Sequence, residues 1–372
     1  MRYYIIAGEA SGDLHGSNLI KQLSALDEKA DFRFWGGNNM MEAAGKKAVK
    51  HIKELAFMGF LEVLLNLRTI LSNITFCKKD ILKYQPDALI LIDYPGFNLR
   101  IAKFAKAKGI KVIYYISPQI WAWKQSRVKS IKKNVDKMLV ILPFEREFYE
   151  KFGFEADFVG HPLIDAIEKN KLGSDIEKFK STYNLNEKPI VALLPGSRKQ
   201  EISKMLNIMA KTVKYFPDYQ FVIAGLSGHP EKTYRLCNKE KNIRIIYDKT
   251  YELLNYSYAA FVTSGTATLE TALFNVPQIV CYKGGLLSYL IAKRLVKINF
   301  ISLVNIIMNK EVVKELIQND FNVKKLTGEA RKLLYDKQYR QEIMDDYKKL
   351  EKLLGGKGAS ENAANLIYKY LK

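Results

Sequence analysis

Two glycine-containing segments in the C-terminal half have the residue types needed to hold a diphosphate. The first is LPGSR at 194–198, after an apolar run at 190–194 and before a helix-like stretch near Glu201. A glycine, a hydroxyl and an arginine at a helix start suit phosphate oxygens. Backbone N–H groups and the helix dipole meet the anion, and a guanidinium can pair with it bidentately. A plain surface arginine is the competing reading of Arg198. The second segment is TSGTATLE at 263–270, after the apolar run 259–262. Its hydroxyls can donate to phosphate, and Glu270, one turn into the helix, can accept from both hydroxyls of a ribose. An ordinary hydroxyl-capped helix start looks similar, but two such loops in succession weaken that reading. The expectation is a nucleotide-sugar diphosphate on Gly196, Ser197, Arg198, Ser264, Gly265, Thr266, Ala267 and Glu270.

Three further loops follow apolar runs in the N-terminal half. GEASGDLHG at 8–16 contains Ser11, Gly12, Asp13 and His15. Its glycines permit close backbone approach to a ligand, while its spacing is not the GxGxxG of a dinucleotide site. A tight strand-to-helix turn capped by Asp13 would read alike. IDYPGFN at 92–98 places Asp93 at the lip of a sheet, where a carboxylate can be partly desolvated and act as a general base. A loop cap is the alternative for Asp93, and a helix cap for Asn98. SPQIWAWK at 117–124 offers Gln119, Trp121 and Trp123; tryptophan is a platform for a sugar face or an acyl chain, or else a buried wedge.

Metal chemistry finds no support in the sequence. His15, His51, His161 and His229 are scattered, Cys77, Cys237 and Cys281 have no CxxC spacing, and no DxD pair occurs. No cofactor or metal is expected, so Arg198, backbone donors and helix dipoles must meet the diphosphate charge.

The elements that position these loops follow a repeated rhythm. Apolar runs at 3–7, 88–92, 111–116 and 138–142 read as buried parallel strands, each followed by a loop and a helix-like segment. A second series, 190–194, 221–224, 243–246, 259–262 and 278–281, follows a charged stretch at 168–188. The expected fold is α/β, two doubly wound Rossmann-like sheets with ligands at the carboxyl ends of the strands, in a cleft between domains. The expected divisions are 1–167, 168–345 and a charged helical tail 346–372, packed on the N-terminal domain or exchanged in a dimer. Residues 55–71 carry a narrow polar stripe, Glu62, Asn66 and Thr69, and nearly everything else in them is apolar. A core helix has this look; so does a helix that meets a membrane surface or lines an acyl groove through Phe57, Met58, Phe60, Leu61, Leu64 and Leu65.

The 372 residues carry a formal charge of +20, and ten basic residues face one acid between 103 and 137. Nucleic acid, anionic lipid and phosphorylated substrates all fit that charge, as does plain solubility. No nucleic-acid-binding motif is visible, and a charge-driven binding protein would leave the paired phosphate loops unexplained. The few cysteines fit a reducing compartment. The N-terminus has no signal-peptide pattern, and no run is long enough to span a bilayer.

With these motifs in order, the chain resembles the lipid-A-disaccharide synthase family, inverting glycosyltransferases of the GT-B fold. The resemblance rests on GEASGD (8–13), FMG with EVL (57–64), IDYPGFN, SPQIWAW, LPFE (142–145), GHP (160–162), LLPGSR, SGTATLE, AKRLVK (292–297) and SLVN (302–305). It implies UDP-2,3-diacylglucosamine as donor, and 2,3-diacylglucosamine 1-phosphate, lipid X, as acceptor. It implies Asp93 as the base on the acceptor 6-hydroxyl, functional roles for Arg198 and Asn305, and peripheral work on the cytoplasmic face of the inner membrane. A homodimer with exchanged C-terminal segments is also within the family's repertoire. Gly96 stands where some members have aspartate, which leaves Asp93 the stronger candidate. The alternatives are another UDP-sugar transferase of this fold or an enzyme like UDP-N-acetylglucosamine 2-epimerase.

Overall fold

The computed structural model describes residues 1–55, 67–170, 175–235, 243–285 and 299–372. The six proposed acyl-contact residues, Phe57 to Leu65, and the motif 292–297 therefore lie outside the described residues. The chain forms two compact units, Met1–Pro162 with Leu354–Lys372, and Leu163–Leu353.

The first unit is built on a seven-stranded parallel sheet: β1 (Arg2–Ala7), β2 (Asp31–Gly36), β3 (Lys50–His51), β4 (Ala88–Ile92), β5 (Lys111–Tyr115), β6 (Lys137–Val140) and β7 (Asp157–Phe158). The order is β3-β2-β1-β4-β5-β6-β7, so strand order reverses between β1 and β4. Successive side chains of a strand point to opposite faces. Tyr4 and Ile6 accordingly join Leu89, Leu91 and Tyr114 in one core, while Tyr3, Ile5 and Ala7 join Ile90, Ile92 and Ile113 in another. Burial on both faces explains why β1 and β4 read as continuous apolar runs.

β2 is absent from the sequence reading because Asp31 and Arg33 interrupt its apolar pattern. The structure accommodates Arg33 through a bidentate pair with Asp80, at 2.7 and 2.5 Å. Asp80 also accepts from the Tyr4 hydroxyl at 2.7 Å, and that hydroxyl accepts from Trp35 Nε1 at 2.9 Å.

The second unit holds a six-stranded parallel sheet: β8 (Ile190–Leu194), β9 (Gln220–Gly225), β10 (Ile243–Tyr247), β11 (Ser257–Thr263), β12 (Gln278–Tyr282) and β13 (Lys314–Ile317). Its order, β10-β9-β8-β11-β12-β13, reverses between β8 and β11. In doubly wound sheets the crevice at such a reversal, beyond the carboxyl ends of the strands, is where ligands bind.

Two expected boundaries need correction. The division at 345/346 falls inside the helix Lys337–Leu353, which stays with the second unit. The chain joins the first unit at Leu354, whose carbonyl accepts from the His161 N–H at 3.0 Å. Gly355, Gly356 and Gly358 all have positive φ, 87°, 72° and 90°, a conformation that favours glycine. After this turn the helix Ala359–Leu371 buries Ala363, Ala364 and Ile367 in the same core as Leu19 and Leu23 of the helix Ala10–Leu26. The first unit's opening segment likewise ends at Pro162 rather than 167, inside the helix Pro162–Asn170.

Candidate active site

In the second unit, the loops after β8 and β11 frame a cavity of about 450 Å³. Gly196, Ser197, Arg198, Ser264, Gly265, Thr266, Ala267 and Glu270 all line it. Helix Lys199–Thr212 starts after the first loop and helix Thr266–Leu273 after the second. The unpaired N–H groups of a helix's first turn, with its positive dipole end, favour an anion. Gly196 has φ 104°, and a Cβ there would lie 2.7 Å from Glu201 Oε2. Glu201 itself accepts from the Arg198 N–H at 3.3 Å, which closes the helix start. The Arg198 side chain is 71% exposed, and its ion pair with Glu201 is long, 3.4 Å. Such an exposed pair contributes little, so the guanidinium is available to an incoming anion. His229 Nε2 donates to the Ser197 carbonyl at 2.7 Å and fixes the loop from outside. Burial raises the Glu270 carboxyl above its ordinary pKa, while the Tyr251 hydroxyl, donating to it, acts in the opposite direction.

The structure changes the roles of two residues here. Ser264 was expected to donate to phosphate. Its hydroxyl instead donates to the Ile301 carbonyl at 2.9 Å, and its N–H to the Cys281 carbonyl at 3.0 Å. Asn305 was expected to act in catalysis, yet it is fully buried. Its Nδ2 donates to the Val313 carbonyl and to Glu315, at 2.8 and 2.9 Å. Its Oδ1 accepts from the N–H groups of Val312 and Val313, at 2.8 and 3.0 Å. With both ends of the amide occupied, Asn305 positions the segment around Ser302 rather than touching a substrate. Asn305→Ala is expected to cost about 2–4 kcal/mol of stability, because the Val313 N–H and carbonyl lose a buried partner and Val312 and Glu315 each lose one of theirs. Chemical denaturation measures this, and an unchanged midpoint together with lost turnover would return Asn305 to the substrate.

The first unit presents its site at the β1/β4 reversal, where Ala7 pairs with Ile92 and the next residues are Gly8 and Asp93. A Cβ on Gly8 would lie 2.4 Å from the Tyr94 ring, so only glycine lets the two loops approach this closely. Asp93 and Tyr94 both adopt left-handed backbone, φ 41° and 49°. Side chains resist that conformation, and it persists where neighbours over-determine it. The Asp93 carbonyl is held by the Tyr114 hydroxyl at 2.6 Å and by Asn98 Nδ2 at 2.7 Å. Burial, with a smaller contribution from the Glu9 carboxylate, pushes the Asp93 pKa up to about 6. A carboxylate tuned toward neutrality is suited to accept a proton.

Glu9 was given no role by sequence reasoning. The available signal was its place directly after Gly8, at a strand's carboxyl end. Thr263, part of the 263–270 segment but not singled out within it, also lines the cavity, and its buried hydroxyl has no hydrogen-bond partner among the described residues.

The expected acceptor residues separate into two groups. Ser11 and Gln119 are exposed, and His15 is partly buried, with burial lowering its pKa to about 4. The others are structural. Asp13 is 3% exposed and accepts from the N–H groups of Gly37, Asn39 and Met40 at 2.6, 3.1 and 3.1 Å, capping the helix Asn38–Ala44. Gly12 is buried against Ala7, and Asn98 serves the Asp93 backbone. Trp121 is no sugar platform: it is buried edge-on against Phe144 and donates from Nε1 to Glu145 at 3.1 Å. Glu145 is itself buried, which pushes its pKa up to about 8. Trp123 is the exposed tryptophan of this loop. A Cβ at Gly96 meets open space, so nothing in the fold demands glycine where some family members have aspartate.

Comparison with known proteins separates the alternatives left open by the fold. A family model described as lipid-A-disaccharide synthetase matches residues 3–369. A lipid-A-disaccharide synthase from Trichlorobacter lovleyi is 39% identical over 98% of this chain and 96% of its own length. One from Coxiella burnetii is 39% identical over 98% and 97%. The chain belongs to the lipid-A-disaccharide synthase family. It is therefore a glycosyltransferase. Solved structures share the architecture: a UDP-GlcNAc 2-epimerase from Neisseria meningitidis bound to UDP-GlcNAc has a TM-score of 0.68, covering 100% of this chain and 99% of that one, at 12% identity. The S. aureus MnaA–UDP structure has a TM-score of 0.70 at 14% identity, covering 100% and 96%. At such identities the likeness speaks for the GT-B fold alone, and the activity follows the lipid-A-disaccharide synthase relatives.

Proposed function

We propose that the enzyme transfers a 2,3-diacylglucosamine unit from UDP-2,3-diacylglucosamine to the 6-hydroxyl of 2,3-diacylglucosamine 1-phosphate. The products are a β-1,6-linked disaccharide 1-phosphate and UDP. The observation that carries the reading is the cavity framed by two helix starts, lined by the exposed Arg198 and by Glu270. Asp93 removes the proton of the acceptor hydroxyl as its oxygen attacks the anomeric carbon. The C1–O bond to the diphosphate breaks with inversion, and the departing charge falls on Arg198 and the N–H groups of Gly265, Thr266 and Ala267. The reading assigns the leaving charge to these donors, with no metal in the step.

The lipid substrates call for a membrane surface. Among the described residues no helix is long and apolar enough to cross a membrane. Trp123 is 48% exposed, with Lys124 Nζ 4.4 Å and the Arg127 guanidinium 5.7 Å from its ring centroid. An amphipathic ring among cations suits an anionic headgroup layer, and the reading places the enzyme peripherally on the cytoplasmic face of the inner membrane.

The test is an assay with both diacyl substrates dispersed in anionic vesicles, following UDP release and disaccharide formation together. Equimolar appearance of the two is expected. Turnover of unacylated UDP-N-acetylglucosamine, without disaccharide formation, would replace this reading by the epimerase one.

A further inference from the structure

Tyr251 stands at the start of the helix Thr250–Asn255, after β10. Its hydroxyl donates to Glu270 Oε1 at 2.7 Å. Its ring packs against Phe274, with centroids 5.4 Å apart, so the hydroxyl has a fixed origin. Thr250 and Glu270 line the nucleotide cavity, whereas Tyr251 is not among the lining residues. It therefore reaches the cavity only through Glu270.

A carboxylate offers about four lone-pair sites on two oxygens. A ribose presents two neighbouring hydroxyl donors. A carboxylate can take both only if its plane is set correctly and it is ionised. Glutamate's last torsion is broad, so without a partner the plane would wander. The Tyr251 hydroxyl occupies one site on Oε1, fixes the plane and leaves the remaining sites for a ligand. It also opposes the upward pKa shift that burial imposes on Glu270.

We infer that Tyr251 is a positioning residue that sets Glu270 to accept both ribose hydroxyls, and so gives the site its preference for ribonucleotides over deoxyribonucleotides. The inference rests on the reading of Glu270 as the ribose acceptor, and the experiment separates the two. Wild type, Tyr251→Phe and Glu270→Gln are titrated with UDP and with 2′-deoxy-UDP. Phenylalanine keeps the ring against Phe274, so packing is preserved. Wild type is expected to prefer UDP roughly tenfold, the scale of one hydrogen bond to a charged group. Tyr251→Phe loses most of this preference by weakening UDP alone, and Glu270→Gln loses it too. Tyr251→Phe weakening both ligands equally, or neither, while Glu270→Gln still loses the preference, overturns the positioning role. Retention of the preference by Glu270→Gln overturns the ribose assignment itself, and the role of Tyr251 with it.

Discussion

Replacing Asp93 by asparagine is expected to lower kcat by ~10²–10⁴-fold, the range that a positioned general base supplies. The exchange keeps side-chain volume and leaves the Tyr114 and Asn98 hydrogen bonds intact, because both go to the Asp93 backbone carbonyl. The loss then belongs to proton transfer. The base must be ionised to act, and burial holds its pKa near 6. The wild-type kcat/KM is therefore expected to fall as pH drops through about 6. Glu9→Gln removes a negative neighbour that raises the Asp93 pKa, so that limb moves to lower pH. Stability runs the other way. A carboxyl raised above its ordinary 3.8 favours the native state when protonated, and that contribution is lost as pH rises through about 6. Above that pH, Asp93→Asn is expected to be more stable than wild type by roughly 1–3 kcal/mol, with the gain fading toward about pH 4. Kinetic pH profiles and thermal melts at two pH values check both signs. A variant that turns over within a few-fold of wild type would end the assignment of Asp93 as base.

The Asp93 loop shows what was legible in the sequence and what was not. The loops could be located because strands buried on both faces form continuous apolar runs, and parallel topology puts ligand residues just beyond their carboxyl ends. That logic found 8–16, 92–98, 117–124, 194–198 and 263–270. It could not assign the fate of each polar side chain, because the partners lie far along the chain or in unremarkable places. Asp13 is taken up by the N–H groups of Gly37, Asn39 and Met40, Trp121 by Glu145, and Asn305 by residues 312–315. A capping aspartate and a substrate-binding aspartate look the same until the backbone they serve is known. β2 was hidden for the same reason, since Arg33 becomes tolerable inside a sheet only through Asp80, 47 residues away. The strain at Asp93 and Tyr94 is likewise a product of packing: Pro95 and Gly96 announce a turn, but it takes bonds to the Asp93 carbonyl from Tyr114 and Asn98, and to the Tyr94 carbonyl from the Asn98 N–H, to hold two successive side-chain-bearing residues left-handed.

The second large effect is expected at Arg198, where the same distinction applies in reverse. Its side chain is 71% exposed, and its one described ion pair is the long contact with Glu201, so Arg198→Ala should leave the melting temperature nearly unchanged. Its effect should appear only when a diphosphate is present. Loss of a charge-assisted, bidentate hydrogen bond is worth about 1.5–3 kcal/mol, hence roughly 10–150-fold in kcat/KM for the UDP-sugar. How this divides between the constants is informative. An arginine that holds the diphosphate equally in ground and transition states raises KM alone, whereas one that meets the charge developing on the leaving phosphate lowers kcat. The proposed mechanism favours a contribution to kcat, because among the described residues a departing diphosphate would meet the exposed Arg198 guanidinium and two helix starts. Arg198→Lys should recover part of the KM but little of the kcat, since a point charge cannot reproduce the planar fork. Steady-state kinetics with the donor varied, together with direct titration of UDP, separate these contributions. If Arg198→Ala leaves both UDP affinity and kcat/KM unaltered, the diphosphate must be held by the helix starts alone.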